Sequence, residues 1–129
     1  MNFPKDLKYT KTHEWARKSG NKITVGITDY AQKEISDVVF VELPKMAQAA
    51  EQAKPVAVVE SVKAAFDIYA PVSGKVVRTN GDLESDPGRV NGDCYGQGWF
   101  LEIEASNESQ WNSLMSAEDY ENHIKQAAH

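Results

Sequence analysis

Residues 56–74 read Val56-Ala57-Val58-Val59-Glu60-Ser61-Val62-Lys63-Ala64-Ala65-Phe66-Asp67-Ile68-Tyr69-Ala70-Pro71-Val72-Ser73-Gly74, and this segment gives the clearest structural signal in the chain. Its first four residues form an apolar, mostly β-branched run of strand length. A second run, from Phe66 to Ala70, is rich in aromatic and branched residues, and it ends at Pro71 because proline cannot continue a sheet ladder. The short segment between the runs suits a hairpin connection. The stretch therefore predicts a β-hairpin over about residues 56–70.

One lysine stands near the middle of the predicted turn. Lys63 is the only cation between Lys54 and Lys75, and it is flanked by the carboxylates of Glu60 and Asp67. A hairpin tip is among the most exposed places on a small β domain, so this amine is expected to face solvent. Most lysines on loops only make the surface soluble. However, the turn lacks the Asn-Gly or Asp-Gly pair that usually forms a hairpin, so turn propensity does not account for its residues.

The segment also resembles a known protein family. Glu60-Ser61-Val62-Lys63-Ala64, followed by Asp67-Ile68-Tyr69-Ala70-Pro71-Val72-Ser73-Gly74, is similar to the lipoyl-attachment segment of glycine cleavage system H proteins. The resemblance extends from about residue 7 to residue 125. Further motifs follow the family in the same order: Leu7-Lys8-Tyr9, Thr12-His13-Glu14-Trp15, Val25-Gly26-Ile27-Thr28, Ala31-Gln32, Val38-Val39-Phe40-Val41-Glu42-Leu43-Pro44 and Gly98-Trp99.

The resemblance implies a non-catalytic carrier with lipoate linked to Lys63 through an amide bond. Such a carrier takes the aminomethyl group of glycine from a PLP-dependent glycine decarboxylase to a tetrahydrofolate-dependent aminomethyltransferase. A dihydrolipoyl dehydrogenase, which uses FAD and NAD, then reoxidises the arm. Lipoate-attachment enzymes are further implied partners, and the residues expected to be recognised by them surround the lysine: Glu60, Ser61, Val62 and Ala64.

When the lipoyl arm holds the aminomethyl group, its end is an amine. A cleft that protects this amine is expected to contain carboxylates that pair with it. Glu14 and Asp67 match family positions near the arm, and Thr12 is nearby. We expect these three residues to line its dock, with Asp67 near the root. Solvated strand carboxylates are the alternative interpretation of these residues. Phe66 departs from the family, which usually has a small residue there, and this ring is expected to affect where the arm rests.

Many short strands and few helices predict a mainly β fold, a small sandwich or barrel. The resemblance supplies the topology of a barrel-sandwich hybrid, in a single domain over residues 1–129. Thr28 is a candidate N-cap for a short helix that ends near Ile35. Residues 80–98 are predicted to form a long loop with short extended pieces. The other predicted strands and helices are strands at 7–10, 12–17, 22–28, 38–43 (buried on both faces), 74–79 and 99–104, and helices at 108–114 and 117–126 in a C-terminal helical segment of about 107–127.

Composition excludes several functional classes. The formal charge of −5 on 129 residues argues against a nucleic-acid partner, which would require a basic face. Cys94 is the only cysteine, so no disulfide can form within the chain and a reducing compartment is expected. No apolar stretch predicts a membrane helix, and the N-terminus has no signal-peptide pattern. We therefore expect a bacterial cytoplasmic protein, or a mitochondrial matrix protein if this is a mature eukaryotic form.

No constellation of residues predicts an enzyme or a metal site. The histidines are His13, His123 and His129, and no pair of them has metal-ligand spacing. His13 is expected to pack in the structure or to line a cleft. Carboxylates are plentiful, but nothing singles out a paired acid and base.

Two other functions fit part of the pattern. Lipoyl or biotinyl domains of other multienzyme complexes also contain a Pro-Val-Ser-Gly-like turn, although biotin acceptors usually have Met on both sides of the lysine, where this chain has Val62 and Ala64. Lipoyl domains are shorter and are normally tethered by linkers. A β-sandwich interaction module that is not modified is the third interpretation.

Overall fold

The computed structural model describes residues 1–127. His129, which was considered above as a metal ligand, and the last two positions of the predicted domain 1–129 lie outside the described residues. The strands are β1 Lys8–Tyr9, β2 Glu14–Ser19, β3 Lys22–Ile27, β4 Val38–Glu42, β5 Ala49–Ala50, β6 Pro55–Ser61, β7 Ala65–Tyr69, β8 Gly74–Thr79 and β9 Leu101–Ala105. The helices are α1 Asp29–Ile35, α2 Asp82–Ser85, α3 Arg89–Gly92, α4 Ser109–Asn112 and α5 Ala117–Ala127.

Two antiparallel sheets enclose the main core. The larger sheet has the order β1-β2-β3-β9-β8-β5, and the smaller sheet has the order β4-β6-β7. Buried side chains from both sheets, among them Val25, Ile103, Val59 and Ile68, belong to one cluster. The predicted mainly β fold is therefore confirmed, together with the short helix after Thr28 and the C-terminal helices.

β6 and β7 form a hairpin in the smaller sheet. Val59 pairs with Phe66 and Glu60 pairs with Ala65. Because successive side chains of a strand face opposite sides, Val59 lies in the core whereas Glu60 is only half-buried. At the end of the quoted stretch, a Cβ on Gly74 would lie 2.0 Å from the carbonyl oxygen of Glu104. The close approach of β8 to β9 therefore requires a glycine at this position.

Side-chain capping contacts mark the N-termini of α1 and α5. The Thr28 hydroxyl accepts a hydrogen bond from the Ala31 amide at 3.2 Å, so Thr28 is the N-cap of α1 as predicted. The Ser116 hydroxyl similarly accepts from the Asp119 amide at 3.1 Å at the start of α5. α5 packs through buried Tyr120.

No helix within residues 1–127 is long and apolar enough to span a bilayer.

β4 differs from its predicted environment. The run at residues 38–43 was expected to be buried on both faces, but Val39 is 54% exposed and Phe40 is 50% exposed. β4 is an edge strand, and its pairing with β6 shifts register between Val38 and Phe40. The irregularity turns these two side chains out of the core. The prediction was wrong because apolar composition does not distinguish an edge strand from a central one.

Residues 80–98 are not the extended loop that the sequence predicted. They contain the helical turns α2 and α3, each of four residues and each held by one fully buried side chain, Leu83 and Val90 respectively. A four-residue helix is too short to show a helical hydrophobic period in the sequence. Two smaller corrections concern boundaries: β9 begins at Leu101 rather than at residue 99, and the helix predicted at 108–114 is the single turn α4.

Candidate functional site

Lys63 lies at the exposed apex of the β6–β7 hairpin. The side chain of Ser61 holds the turn in shape. Its hydroxyl accepts hydrogen bonds from the amides of Lys63 at 3.1 Å and Ala64 at 3.4 Å, and the Ser61 amide donates to the Ala64 carbonyl at 2.9 Å. A serine hydroxyl can organise a turn in this way. The contacts explain how the tip is ordered without an Asn-Gly pair.

The lysine side chain extends from the tip toward α1. Its Nζ donates to the carbonyl oxygen of Glu34 at 3.0 Å. Glu34 lies in the last turn of α1, where carbonyl groups lack partners within the helix and carry the negative end of its dipole. The contact therefore sets a preferred direction for the side chain without burying the amine.

A cleft of about 460 Å³ begins beside this contact. One wall is the loop of residues 11–14, the other is α1, and the exposed edge of β7 forms a third side. Glu34 and Phe66 lie at the end near Lys63, and Glu14 and Tyr69 also line the cleft. Lys63 thus lies at the opening of a cavity that is large enough for a small ligand.

A buried carboxylate faces this cleft. Glu14 is 1% exposed, and its Oε1 accepts hydrogen bonds from the hydroxyls of Thr10 and Thr12, each at 2.5 Å. Its Oε2 accepts from the Tyr69 amide at 3.2 Å. Burial raises the pKa of Glu14 above the usual glutamate range, and these hydrogen bonds oppose the rise. An ionised carboxylate has about four acceptor positions, and the hydrogen bonds from Thr10, Thr12 and Tyr69 use three of them.

The three predicted docking residues surround the same cleft, in different ways. Thr12 contacts Glu14 directly. Asp67 is exposed and pairs with Val58, whereas its neighbour Phe66 pairs with buried Val59. By the alternation of strand side chains, Asp67 lies on the outer side of the hairpin and reaches the cleft only at its rim. Phe66, the departure from the family pattern, is 38% exposed and forms part of the cleft wall.

The residues expected to guide attachment remain accessible around Lys63. Val62 is 65% exposed and Ala64 is exposed, whereas Glu60 is half-buried beside Ala65. Only Ser61 is buried, which agrees with its hydrogen bonds inside the turn. The tip thus presents a small surface of fixed shape.

Sequence reasoning did not find two residues that support the cleft. The Asn91 side chain donates to the Ser36 carbonyl at 2.9 Å and accepts from the Val38 amide at 2.9 Å, so it fixes the end of α1. The Tyr120 hydroxyl is 2.8 Å from Nδ1 of His13, which lines the cleft. Both contacts join residues more than fifty positions apart, and no local pattern indicates them.

Within residues 1–127, no group of three or more His, Cys, Asp or Glu residues could hold a metal ion.

Comparison with known proteins identifies the family. A sequence model described as "Glycine cleavage H-protein" matches residues 7–127. This chain belongs to the glycine cleavage H-protein family. A glycine cleavage system H protein from Endomicrobium trichonymphae is 51% identical over 124 residues, which cover 96% of this chain and 100% of that relative. The H protein of Thermus thermophilus is 48% identical over 128 residues, with 99% and 100% covered.

A solved H-protein structure has the same fold. The crystal structure of a glycine cleavage system H protein from Mycobacterium marinum superposes with a TM-score of 0.86 at 29% identity, and the match covers 98% of this chain and 100% of that one. The barrel-sandwich hybrid expected for H proteins is therefore supported across the chain. H proteins are the carrier component of the glycine cleavage system, and this places the hairpin and the cleft in a carrier.

The hydrogen bonds to Glu14 lead to a testable prediction about its pKa. We expect Thr12→Val to raise the pKa of Glu14 further, because the Thr12 hydroxyl stabilises the ionised carboxylate. Side-chain ¹³C NMR titration of the carboxyl group measures the change. Thr24→Val, on β3 and outside this cluster, is the matched control. An unchanged or lower pKa in Thr12→Val would contradict the proposed role of the hydroxyl.

Proposed function

We propose that this H protein carries lipoate on Lys63 and moves the aminomethyl group of glycine between enzymes. The donor is the PLP-dependent glycine decarboxylase and the acceptor is the tetrahydrofolate-dependent aminomethyltransferase, while dihydrolipoyl dehydrogenase receives the electrons. Lipoate supplies a disulfide that accepts the one-carbon unit and two electrons. The observation that carries the proposal is one exposed lysine on a stiff turn, at the mouth of a cleft with a buried carboxylate.

The dimensions of the cleft fit a lipoyl-lysine arm. The lysine stem and acyl chain together comprise about ten bonds, so the arm reaches about 14 Å from its Cα. β7 runs from Ala65 to Tyr69, and four steps of strand rise give about 13 Å. An arm that lies along the edge of β7 therefore ends near Tyr69 and Glu14, which are hydrogen-bonded to each other.

The tip is suited to recognition by the lipoate-attachment enzymes. Acylation removes the charge of Lys63 but leaves one N–H, which can still donate to the Glu34 carbonyl. Glu60, Val62 and Ala64 neighbour Lys63 along the chain, and the hydrogen bonds of Ser61 hold the turn in shape. A pre-formed turn loses less conformational entropy on docking than a flexible loop does.

Three residues would bind and shield the cargo. Glu14 offers a negative charge in a place from which water is largely excluded, and Thr12 orients its carboxylate. Asp67 adds a second negative charge at the rim. The chain supplies binding and protection, and the partner enzymes supply the catalytic groups. Because the relatives named above are bacterial, we place this exchange in a bacterial cytoplasm.

The first test is reconstitution of glycine decarboxylation with the lipoylated protein and its partner enzymes. We expect Lys63→Arg to abolish turnover, because the guanidinium retains the charge but cannot form the lipoyl amide. Lys75→Arg, at the next lysine along the chain, should behave as the wild type. Turnover that survives Lys63→Arg would exclude Lys63 as the attachment site.

The second test concerns the cargo dock. Glu14→Gln combined with Asp67→Asn should speed hydrolytic loss of the cargo by about tenfold or more, because a charge-assisted hydrogen bond contributes roughly 1.5–3 kcal/mol. Release of formaldehyde or ammonia from the loaded carrier measures the rate. Glu84→Gln with Glu104→Gln removes the same charge from exposed positions outside the cleft and is the control. Equal rates in the two double variants would disprove docking at these carboxylates.

A further inference from the structure

One buried phenol connects both walls of the cleft. The hydroxyl oxygen of Tyr120 lies 2.8 Å from Nδ1 of His13 and 2.7 Å from the hydroxyl oxygen of Thr28. Tyr120 itself is 0% exposed. His13 belongs to the loop of residues 11–14, and Thr28 caps α1, so one oxygen atom from α5 contacts both walls.

The loop wall needs such a support. His13 adopts a φ of 76°, in the left-handed region that side chains other than glycine rarely occupy. Its carbonyl accepts from the Thr28 amide at 3.0 Å, and its amide donates to the Thr10 carbonyl at 3.2 Å. Such a conformation persists only where surrounding contacts hold it. Thr12 and Glu14 flank His13, so a change in His13 would also move the carboxylate that faces the cleft.

The hydroxyl group is not needed to fill the core. The Tyr120 ring stacks on Tyr9 with centroids 4.8 Å apart, and the ring of Phe3 packs edge-on at 5.3 Å. A phenylalanine would make these apolar contacts equally well. The hydroxyl, in contrast, contacts His13 in the loop wall and Thr28 at the start of the α1 wall.

We propose that Tyr120 is a positioning residue of the cargo cleft, and that its hydroxyl holds the loop of residues 11–14 and α1 at a fixed separation. The C-terminal helix is then part of the site, although it does not line the cleft. The proposal rests on the proposed function of the cleft as the place where the cargo is protected. Loss of the hydroxyl widens the cleft and admits water to the cargo without affecting the hairpin tip.

The test compares Tyr120→Phe with Tyr9→Phe. Tyr9 is a matched control because it is also 0% exposed, but its hydroxyl donates at 2.6 Å to the Pro4 carbonyl, in the N-terminal segment. In ¹H–¹⁵N spectra of the unlipoylated protein, we expect Tyr120→Phe to shift the amide signals of Glu14 and Ala31 together. Tyr9→Phe should leave both signals in place.

Two rates then separate positioning from general destabilisation. In Tyr120→Phe we expect cargo hydrolysis to rise at least threefold, while the rate of lipoate attachment stays within twofold of the wild type. Tyr9→Phe should change neither rate. The proposal is overturned if Tyr120→Phe shifts only signals of α5. It is also overturned if hydrolysis responds to loss of Glu14 and Asp67 but Tyr120→Phe speeds it no more than Tyr9→Phe does.

A second variant covers the case in which Tyr120→Phe does not fold. His13→Asn keeps a residue type that tolerates positive φ but is too short to reach Tyr120. It should shift the Glu14 amide signal and speed hydrolysis, and the absence of both effects would also overturn the proposal. The spectral shifts do not depend on cargo docking. If the spectra respond but hydrolysis is insensitive even to loss of Glu14 and Asp67, the proposed function of the cleft fails and the positioning contact stands.

Discussion

The hydrogen bond from the Tyr69 amide to the Glu14 carboxylate joins the hairpin to the rest of the molecule at the site. Glu14 begins β2 in the larger sheet, and Tyr69 ends β7 in the smaller one. A carboxylate that is 1% exposed is costly without partners, so its two hydroxyl donors and this amide must be in place together. That requirement fixes the cleft between the hairpin and the loop of residues 11–14.

A rigid base for a mobile arm follows from this constraint. Ser61 stiffens the tip, the end of α1 offers a carbonyl to Lys63, and the edge of β7 provides a track of about the length of the arm. Under the proposed function, the hairpin would determine where a lipoyl arm on Lys63 pivots, and the cleft would determine where it rests. Exchange between enzymes would then require only that the arm leave the cleft, which breaks no contact of the sheets.

The sequence was most informative where the structure is local. The β-branched run before Glu60 and the proline after Ala70 predicted the hairpin, and Thr28 was recognised as an N-cap because capping depends on the next three residues. It was least informative where distant segments meet. Nothing near His13 indicates that Tyr120 holds it, and nothing in residues 80–98 shows that Asn91 anchors α1.

The proposed carrier function requires that Lys63 be the single site of lipoate attachment. Intact-mass measurement of the protein from lipoate-replete cells, followed by peptide mapping, examines this requirement. We expect one lipoyl increment, on the peptide that contains Lys63. A biotinyl increment, a lipoyl group on another lysine, or no increment at all would contradict it.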